Sequence, residues 1–460
     1  MRRCLVILLL LLCAGGAYAN DQFSYSGYLQ SEVSLRINHA NGDLTKFKNI
    51  FQIAGQYKII GDELVFFSKA RYWYDAAYDL RDKMDIAQHY QGHVQRTDWL
   101  RDCYLDYTNN PWFLRLGKQQ VVWGQSDGIA VLDRVNPVDL SEYWLPDMEY
   151  IRIPLWMANI NYSPKLDSNL QILIIPDFEQ STSAAIGAPF TTYSYIRYDN
   201  WKKTVGGVDE NLYFPGKNFE NSTFGVQWSD RFADMNYTFN YLNGFYYSAR
   251  NATIHLSGPY FGPFSYWKVN RSFKRYSLYG ASFNKSVTNP GPLQGFTFRG
   301  DFAYYNDEPM YYGNPVTASS AGIKRWNNIM WVLGADRYVF TKWLISGQYG
   351  QYILQHSKPN DPRPQYNYIL NPYTYGAMDP VENIFSLKIS TYFLNDRLRP
   401  EVLWSFTDDN QGRISPKATY EIKDNIWLTV GVHYFYGHLL DSNGQYRDQD
   451  QAYMNLKFTF

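Results

Sequence analysis

Residues 451–460 read QAYMNLKFTF, and this stretch decides the fold. Every second residue is apolar, which is the spacing of side chains on one face of a β-strand. The apolar face consists of Ala452, Met454, Leu456, Phe458 and Phe460, and the other, mainly polar face of Gln451, Tyr453, Asn455, Lys457 and Thr459. The segment therefore predicts a strand that separates an apolar environment from an aqueous one.

The same alternation recurs along the chain in stretches of about ten residues, the length that a tilted strand needs to cross a hydrocarbon layer. It is clear over residues 23–37, 385–393, 413–421 and 426–436. An even number of strands is typical of a closed antiparallel membrane barrel. We predict an all-β, antiparallel transmembrane barrel of about 18 strands, with 16 as the alternative because residues 156–176 are weakly patterned. The predicted strands are residues 23–38, 46–60, 63–76, 97–108, 112–122, 156–163, 169–176, 222–230, 234–243, 273–287, 294–306, 327–340, 342–354, 382–394, 398–407, 412–421, 425–437 and 451–460.

The predicted connections alternate in length. Those after even-numbered strands are short turns, and those after odd-numbered strands are mostly long. The long connections are residues 77–96, 123–155, 177–221, 244–272, 307–326, 355–381 and 438–450. Short turns on the periplasmic side and long loops outside are typical of barrels in the bacterial outer membrane. We therefore expect this membrane to be the location, with its lipid and lipopolysaccharide around the barrel.

The composition also favours a membrane barrel. The chain has 42 Tyr, 28 Phe and 14 Trp, an aromatic share of 18%, although its mean hydropathy is −0.43. Many aromatic residues in a chain that is polar on average fit an apolar band on the outside of a barrel. No segment beyond the first residues approaches 18 consecutive apolar residues, which argues against helical membrane spans. The alternative is a soluble, secreted all-β protein, whose strands also alternate.

The start of the chain predicts a removable signal peptide over residues 1–19. Arg2 and Arg3 precede a short leucine-rich run, and residues 17–19 (AYA) provide a small-x-small cleavage pattern. We expect residues 20–460 to form one barrel domain. Without the two arginines, 41 basic residues face 43 acidic ones, so no basic excess favours nucleic acid as a partner. Cys103 is then the only cysteine, which excludes an intramolecular disulfide.

Two features resemble known outer-membrane proteins. A terminal Phe460 that closes an amphipathic strand is similar to the signal by which the barrel assembly machinery recognises its substrates. The motifs at residues 115–119 (RLGKQ), 122–127 (VWGQSD), 136–139 (NPVD) and 152–157 (RIPLWM) resemble a family of proteobacterial outer-membrane proteins of unknown function. That family is distantly similar to alginate-export-type porins, which also have a Gly-x-Gln…Trp-Gly segment. The resemblance implies a porin-like barrel.

The connection 123–155 is the third on the long-loop side. In general porins the third outer loop folds inward and narrows the channel, and the charged and polar side chains at such a constriction decide which solutes pass. We predict that residues 123–155 form an inward-folded constriction loop; the alternative is a surface loop with solvated charges. Its candidate site residues are Gln125, Asp127, Asp133, Arg134, Asp139, Glu142, Asp147, Glu149 and Arg152.

The polar faces of the clearest strands predict the lining of the lumen. The candidates are Arg36, Lys48, Lys69, Arg71, Arg299, Asp301, Lys388, Arg399, Glu401, Arg413, Lys417 and Lys457. With Glu32, Asp75 and Glu421 included, the polar faces hold ten basic and five acidic residues. An excess of positive charge in a lumen predicts a mild preference for anions. A balanced, hydrogen-bonded interior without selectivity is the alternative.

Residues 124–128 (GQSDG) match the Gly-x-Ser-x-Gly pattern of a nucleophile elbow around Ser126. That motif needs a strand, a sharp turn and a helix in a parallel α/β sheet, whereas the pattern here is antiparallel. We expect a channel for the diffusion or selective passage of small solutes, with no enzymatic activity, cofactor or metal site. The alternatives are a barrel hydrolase acting on lipid or ester substrates and a non-conducting barrel that anchors or binds a partner.

Overall fold

The computed structural model is a closed barrel of 18 antiparallel strands, as the sequence predicts. Each strand pairs with the next along the chain, and the last pairs with the first. The structure describes residues 21–38, 43–80, 99–126, 128–204, 208–248, 253–257, 266–314, 319–355, 368–370 and 378–460. The predicted signal peptide, residues 1–19, lies outside them.

The barrel strands follow the alternating segments of the sequence. They are β1 Phe23–Arg36, β2 Leu44–Ile60, β3 Leu64–Asp75, β4 Leu100–Asn109, β5 Trp112–Gln119, β6 Leu155–Lys165, β7 Ser168–Ile175, β8 Thr223–Phe232, β9 Met235–Phe245, β10 Arg275–Ser286, β11 Phe296–Asn314, β12 Ser319–Val339, β13 Trp343–Leu354, β14 Val381–Ser390, β15 Leu398–Thr407, β16 Gly412–Lys423, β17 Ile426–Tyr436 and β18 Gln451–Thr459.

The connections contain further short elements. The helices are α1 Ala77–Leu80, α2 Met148–Ile151 and α3 Tyr193–Thr204, with 3-10 turns at Phe219–Asn221 and Gly444–Tyr446. Asp139–Leu140 pairs with Thr182–Ser183, and Tyr266–Ser272 pairs with both Val208–Tyr213 and Thr253–Ser257. Tyr368–Leu370 pairs with the end of β11 and is not one of the 18 barrel strands. Among the described residues, no helix is long and apolar enough to span a membrane.

One predicted loop is wrong. Residues 307–326 continue the hairpin, because β11 extends to Asn314 and β12 begins at Ser319. The register shifts between Tyr305 and Glu308, where Asp307 has a positive φ of 58°, and pairing then resumes. This bulge, followed by Pro309, interrupts the alternation in the sequence but does not end the strand.

The outer face of the ring is apolar. On β18 the alternating side chains Met454, Leu456 and Phe458 are 44–47% exposed, and the other strands show the same pattern. Exposed aromatic side chains cluster beside the short turns, where a belt at the headgroup level is expected. They include Tyr57, Phe66, Tyr107, Trp112, Phe232, Tyr338, Phe340, Trp343, Phe393 and Phe458.

The ring closes between β1 and β18. Gly27 and Phe460 exchange two backbone hydrogen bonds of 2.9 and 3.0 Å, and pairing continues to Arg36 and Gln451. Gly27 allows this approach: a Cβ there would lie 2.5 Å from the Gln52 carbonyl oxygen and 2.5 Å from the Phe460 ring. The seam therefore requires a residue without a side chain at position 27.

We expect Gly27→Ala to impair barrel closure. Overpacking of this kind destabilises by about 1–3 kcal/mol, so the fraction of folded, heat-modifiable protein on a cold SDS gel should fall. Gly55→Ala on β2 is the matched control, because a Cβ there meets nothing closer than 3.5 Å. Equal folding of both variants would contradict this role for Gly27.

Candidate functional site

The segment 120–154 between β5 and β6 is attached to the inward-facing side of β11. Asp301 accepts hydrogen bonds from the backbone N–H groups of Gln125 at 2.8 Å and Ser126 at 3.0 Å, and from the Ser126 hydroxyl at 2.5 Å. Its neighbour Phe302 is 43% exposed on the outer face, whereas Asp301 is only 3% exposed. A buried carboxylate with three donors holds this turn firmly against the wall.

Apolar packing continues the attachment along the same sector of the ring. Val131, Leu132 and Val135 are fully buried against inward-facing side chains of β6, β7 and β9–β12. Leu132 occupies the space beside Gly280, where a Cβ would lie 2.2 Å from its methyl group. The Tyr305 hydroxyl donates to the Val131 carbonyl at 2.6 Å. This part of the inner wall is therefore apolar and covered by the segment.

A charged contact joins the middle of the segment to β2. The Glu142 carboxylate lies 2.5 Å from both the Lys46 and Lys48 ammonium groups, and Lys46 also pairs with Glu32 at 3.0 Å. Burial alone would raise the pKa of Glu142, but the two lysine charges and hydrogen bonds hold it far below its usual value. Glu142 is therefore ionised at neutral pH and binds both lysines.

The end of the segment contacts β3 and β4. Lys69 bridges Asp102 of β4 at 3.2 Å and Glu149 of the segment at 2.8 Å. Arg101 donates to the backbone carbonyl groups of Glu149 at 3.1 Å and Arg152 at 2.5 Å. Burial would raise the pKa of Glu149, but its contact with Lys69 and the nearby arginine charges lower it.

A third attachment lies on β16, on β17 and on the connection that follows β17. Arg413 donates to the Trp144 carbonyl at 2.9 Å, and the Tyr143 hydroxyl donates to Asn443 at 2.8 Å. The Tyr143 ring packs against Phe435 and Tyr446. The segment thus contacts inward-facing residues of β2–β4, of β9–β12 and of β16–β17.

Most of the remaining candidates in the segment form ion pairs or hydrogen bonds, either with other residues of the segment or with the barrel wall. Asp133 pairs with Arg152 at 2.5 Å, and Arg134 approaches the Tyr305 hydroxyl at 3.4 Å. The backbone of Gln125 binds Asp301, and the backbone carbonyl of Asp147 accepts from the first turn of α2. Asp127 lies outside the described residues.

Residues 181–183, in the next long connection, also pack on this segment, a contact that the sequence analysis did not predict. Thr182 donates its backbone N–H to Val138 at 3.0 Å, and its hydroxyl to Asp139 at 2.7 Å. Burial would raise the pKa of Asp139, but its hydrogen bonds from Ser141 and Thr182 lower it. The run of small residues Ala184, Ala185 and Ala188, all buried here, was the signal in the sequence.

The twelve candidate lumen residues lie on the strand face opposite to the exposed hydrophobic side chains. Several are paired: Lys48 with Glu142, Lys69 with Asp102 and Glu149, Arg299 with Asp336, and both Lys388 and Lys417 with Glu401. Arg36 approaches Asp43 at 3.8 Å, and Asp301 holds the turn at Ser126. Within the described parts of the chain, the basic candidates without an ion pair are Arg71, Arg399, Arg413 and Lys457.

Ser126 does not lie in a nucleophile elbow. It follows no parallel strand, and its hydroxyl contacts the Asp301 carboxylate and the Ile129 carbonyl. No group of three His, Cys, Asp or Glu residues placed to hold a metal occurs in the described residues.

The closed ring with an apolar exterior defines the class as a porin-like β-barrel of the outer-membrane type. The chain belongs to the family described as "Protein of unknown function (DUF1302)", whose model matches residues 32–460. No curated protein matches the sequence significantly.

Solved structures are similar in fold. OccK8 (OprE) of Pseudomonas aeruginosa has a TM-score of 0.53 and 9% identity, over 95% of this chain and 98% of that one. OccAB1 of Acinetobacter baumannii has a TM-score of 0.52 and 9% identity, over 95% and 96% of the two chains. OccAB4 of the same organism has a TM-score of 0.51 and 10% identity, over 95% and 98%. At this identity the likeness shows the barrel fold alone, and the predicted similarity to alginate-export porins stays a prediction.

We expect Asp301→Asn to loosen the start of the segment. Hydrogen bonds to charged groups contribute about 1.5–3 kcal/mol, so amide exchange over residues 121–135 should accelerate by about tenfold or more. Asp106→Asn, which removes an inward-facing carboxylate paired with Arg115, should leave these amides unchanged. Unaltered exchange in Asp301→Asn would refute the tether.

Proposed function

We propose that the protein is an outer-membrane channel for small solutes and that segment 120–154 narrows its lumen. The observation that supports this proposal is the set of contacts between the segment and inward-facing residues in three separate sectors of the ring. A chain that binds Asp301 of β11, Lys48 of β2 and Arg413 of β16 must pass through the space that these strands enclose. Charged and polar groups held there would decide which solutes pass.

The charge of the inner wall supports a mild anion preference. Arg399 donates to the Asp396 carbonyl, Arg413 to the Trp144 carbonyl, and the Lys457 ammonium lies 4.1 Å from the centre of the Tyr28 ring. Neutral partners leave these positive charges uncompensated, in contrast to Lys388 and Lys417, which share Glu401. The field of such side chains attracts anions into a lumen.

The same proposal implies a lipid environment, an assembly route and a processing step for the protein. The exposed hydrophobic side chains would contact outer-membrane lipid and lipopolysaccharide, and the strand that ends at Phe460 would be recognised by the barrel assembly machinery. Residues 1–19 would be removed on export, and residues 20–460 would act as a single barrel domain.

Removal of the segment should widen the channel. With residues 127–150 replaced by a short glycine–serine linker, single-channel conductance in planar bilayers should rise, because the obstruction is gone. The control shortens the exposed turn 288–294 between β10 and β11, where conductance should not change. A barrel that conducts equally with and without the segment would rule out the constriction, and one that never conducts would favour an anchoring or binding role.

The uncompensated cations should set the ion preference. In asymmetric salt, the reversal potential of the wild type should indicate anion preference, and the triple variant Arg399→Gln/Arg413→Gln/Lys457→Gln should shift it towards cations. The control is Lys58→Gln/Arg231→Gln/Lys342→Gln, which removes the same number of positive charges near the short turns. It should shift the reversal potential less. Cation preference in the wild type would contradict the proposal.

A further inference from the structure

The outer face of β8–β12 contains an apolar groove close to the short turns. It encloses about 630 Å³, a volume in the range of ligand-binding clefts. Its floor includes the small residues Ala281 of β10 and Gly300 of β11. The larger side chains around them are Tyr237, Phe239, Phe283, Phe302, Trp331 and Leu333. Phe239 and Leu333 are 59% and 51% exposed, so the groove opens outward and not into the lumen.

The strand register explains why the outer face is hollow here. Gly300 lies between Phe283 of β10 and Leu333 of β12, and Ala281 lies opposite Phe302. A Cβ at position 300 would lie 2.6 Å from the Phe283 ring and 2.8 Å from a Leu333 methyl group. The floor at this point is therefore bare backbone with large side chains directly beside it. An empty groove of this kind lacks dispersion contacts that a flexible hydrocarbon chain would supply.

Two positive charges lie at the short-turn end of the groove. Lys285 comes two residues after Phe283 on the outer face of β10, opposite Met235, which also lines the groove. Arg337 lies on the outer face of β12, with its guanidinium 4.7 Å from the centre of the Phe296 ring. Neither Lys285 nor Arg337 forms an ion pair with any residue that the structure describes. These two residues are the groove cations.

The carboxylates near these turns are directed elsewhere. Asp336, the sequence neighbour of a groove cation, faces the interior and pairs with Arg299. At the β8–β9 turn, Asp234 pairs with Arg231 at 3.1 Å, and the Asp230 carboxylate accepts the Arg231 backbone N–H at 2.7 Å. Strand β9 separates β8 from the groove cations. The short-turn end of the groove therefore has a net positive charge.

We propose that the groove binds one anionic phospholipid of the periplasmic leaflet, with an acyl chain over Ala281 and Gly300 and the phosphate within reach of Lys285 and Arg337. Short turns face the periplasm in barrels of this class, and phospholipids form that leaflet of the outer membrane. Lysine and arginine side chains near a membrane surface attract anionic headgroups. The site rests on the outer-membrane location in the proposed function, but it does not depend on conduction.

The direct test is native mass spectrometry of the processed protein in detergent, with added phosphatidylglycerol or phosphatidylcholine of the same acyl chains. We expect one phosphatidylglycerol per barrel to remain bound, with an affinity about tenfold or more above that of phosphatidylcholine, because two cations face its headgroup. Equal retention of the two lipids, or stronger retention of lipopolysaccharide, would overturn the proposal.

Charge variants test the headgroup end of the site. Lys285→Gln/Arg337→Gln should lower the retention of phosphatidylglycerol to that of phosphatidylcholine. Lys58→Gln/Lys423→Gln is the matched control, because it removes two lysines at the short-turn ends of β2 and β16, away from the groove. The control should keep the preference, and its loss in both double variants would show unspecific attraction instead of a site.

A filled groove tests the chain end. Ala281→Phe should displace the acyl chain and reduce the retention of both lipids, whereas Ala418→Phe on the outer face of β16 should not. Unchanged retention in Ala281→Phe would contradict the placement of the chain. A dimer that is stable without lipid and that Ala281→Phe dissociates would assign the groove to a second copy and overturn the proposal.

These outcomes are separate from those of the channel experiments. A barrel that conducts as expected but does not prefer phosphatidylglycerol would overturn the lipid site alone. If Ala281→Phe does not fold, the charge variants still decide, because Lys285 and Arg337 lie on the surface.

Discussion

The backbone pairing of β1 with β18 is the constraint on which the structure depends. A sheet edge in hydrocarbon would leave a row of N–H and C=O groups without partners, and closure removes both edges together. Once the ring is closed, every strand has one face towards the outside of the ring and one towards the interior. The alternation in the sequence then fixes which side chain faces which way, because a shift of one residue would exchange the two faces.

The inner wall is apolar in one part and basic in another, and the segment 120–154 is complementary to both parts. Its first part is apolar and packs on an apolar wall around Leu278 and Ala303. Its later part is acidic, and Glu142 and Glu149 meet the lysines of β2 and β3. Charges in a poorly solvated interior need partners, so the basic wall and the acidic segment stabilise each other. The attachment is therefore specific in orientation as well as in position.

The strands were predictable from the sequence because period-two alternation is a local property. The hairpin of β11 and β12 was predicted too short, since the bulge at Asp307 and the proline at position 309 break the pattern without ending the pairing. The apolar part of the inner wall was not foreseen, because residues 172–175 of β7 are apolar on both faces and show no alternation. The contacts of the segment could not be predicted from local patterns either, because partners such as Ser126 and Asp301 are 175 residues apart in sequence. The types of residue in the segment indicated a charged site, but only the fold shows their partners.

The most direct test of the account is a disulfide across the seam of the ring. Gln30 and Lys457 face each other on β1 and β18, whereas Asn455 faces Glu32. In a Cys103→Ser background, Gln30→Cys/Lys457→Cys should form an intramolecular crosslink in outer-membrane fractions under mild oxidation. Gln30→Cys/Asn455→Cys should not, because diagonal positions lie beyond disulfide reach. Crosslinking of the shifted pair, or only between separate chains, would contradict a ring closed in this register.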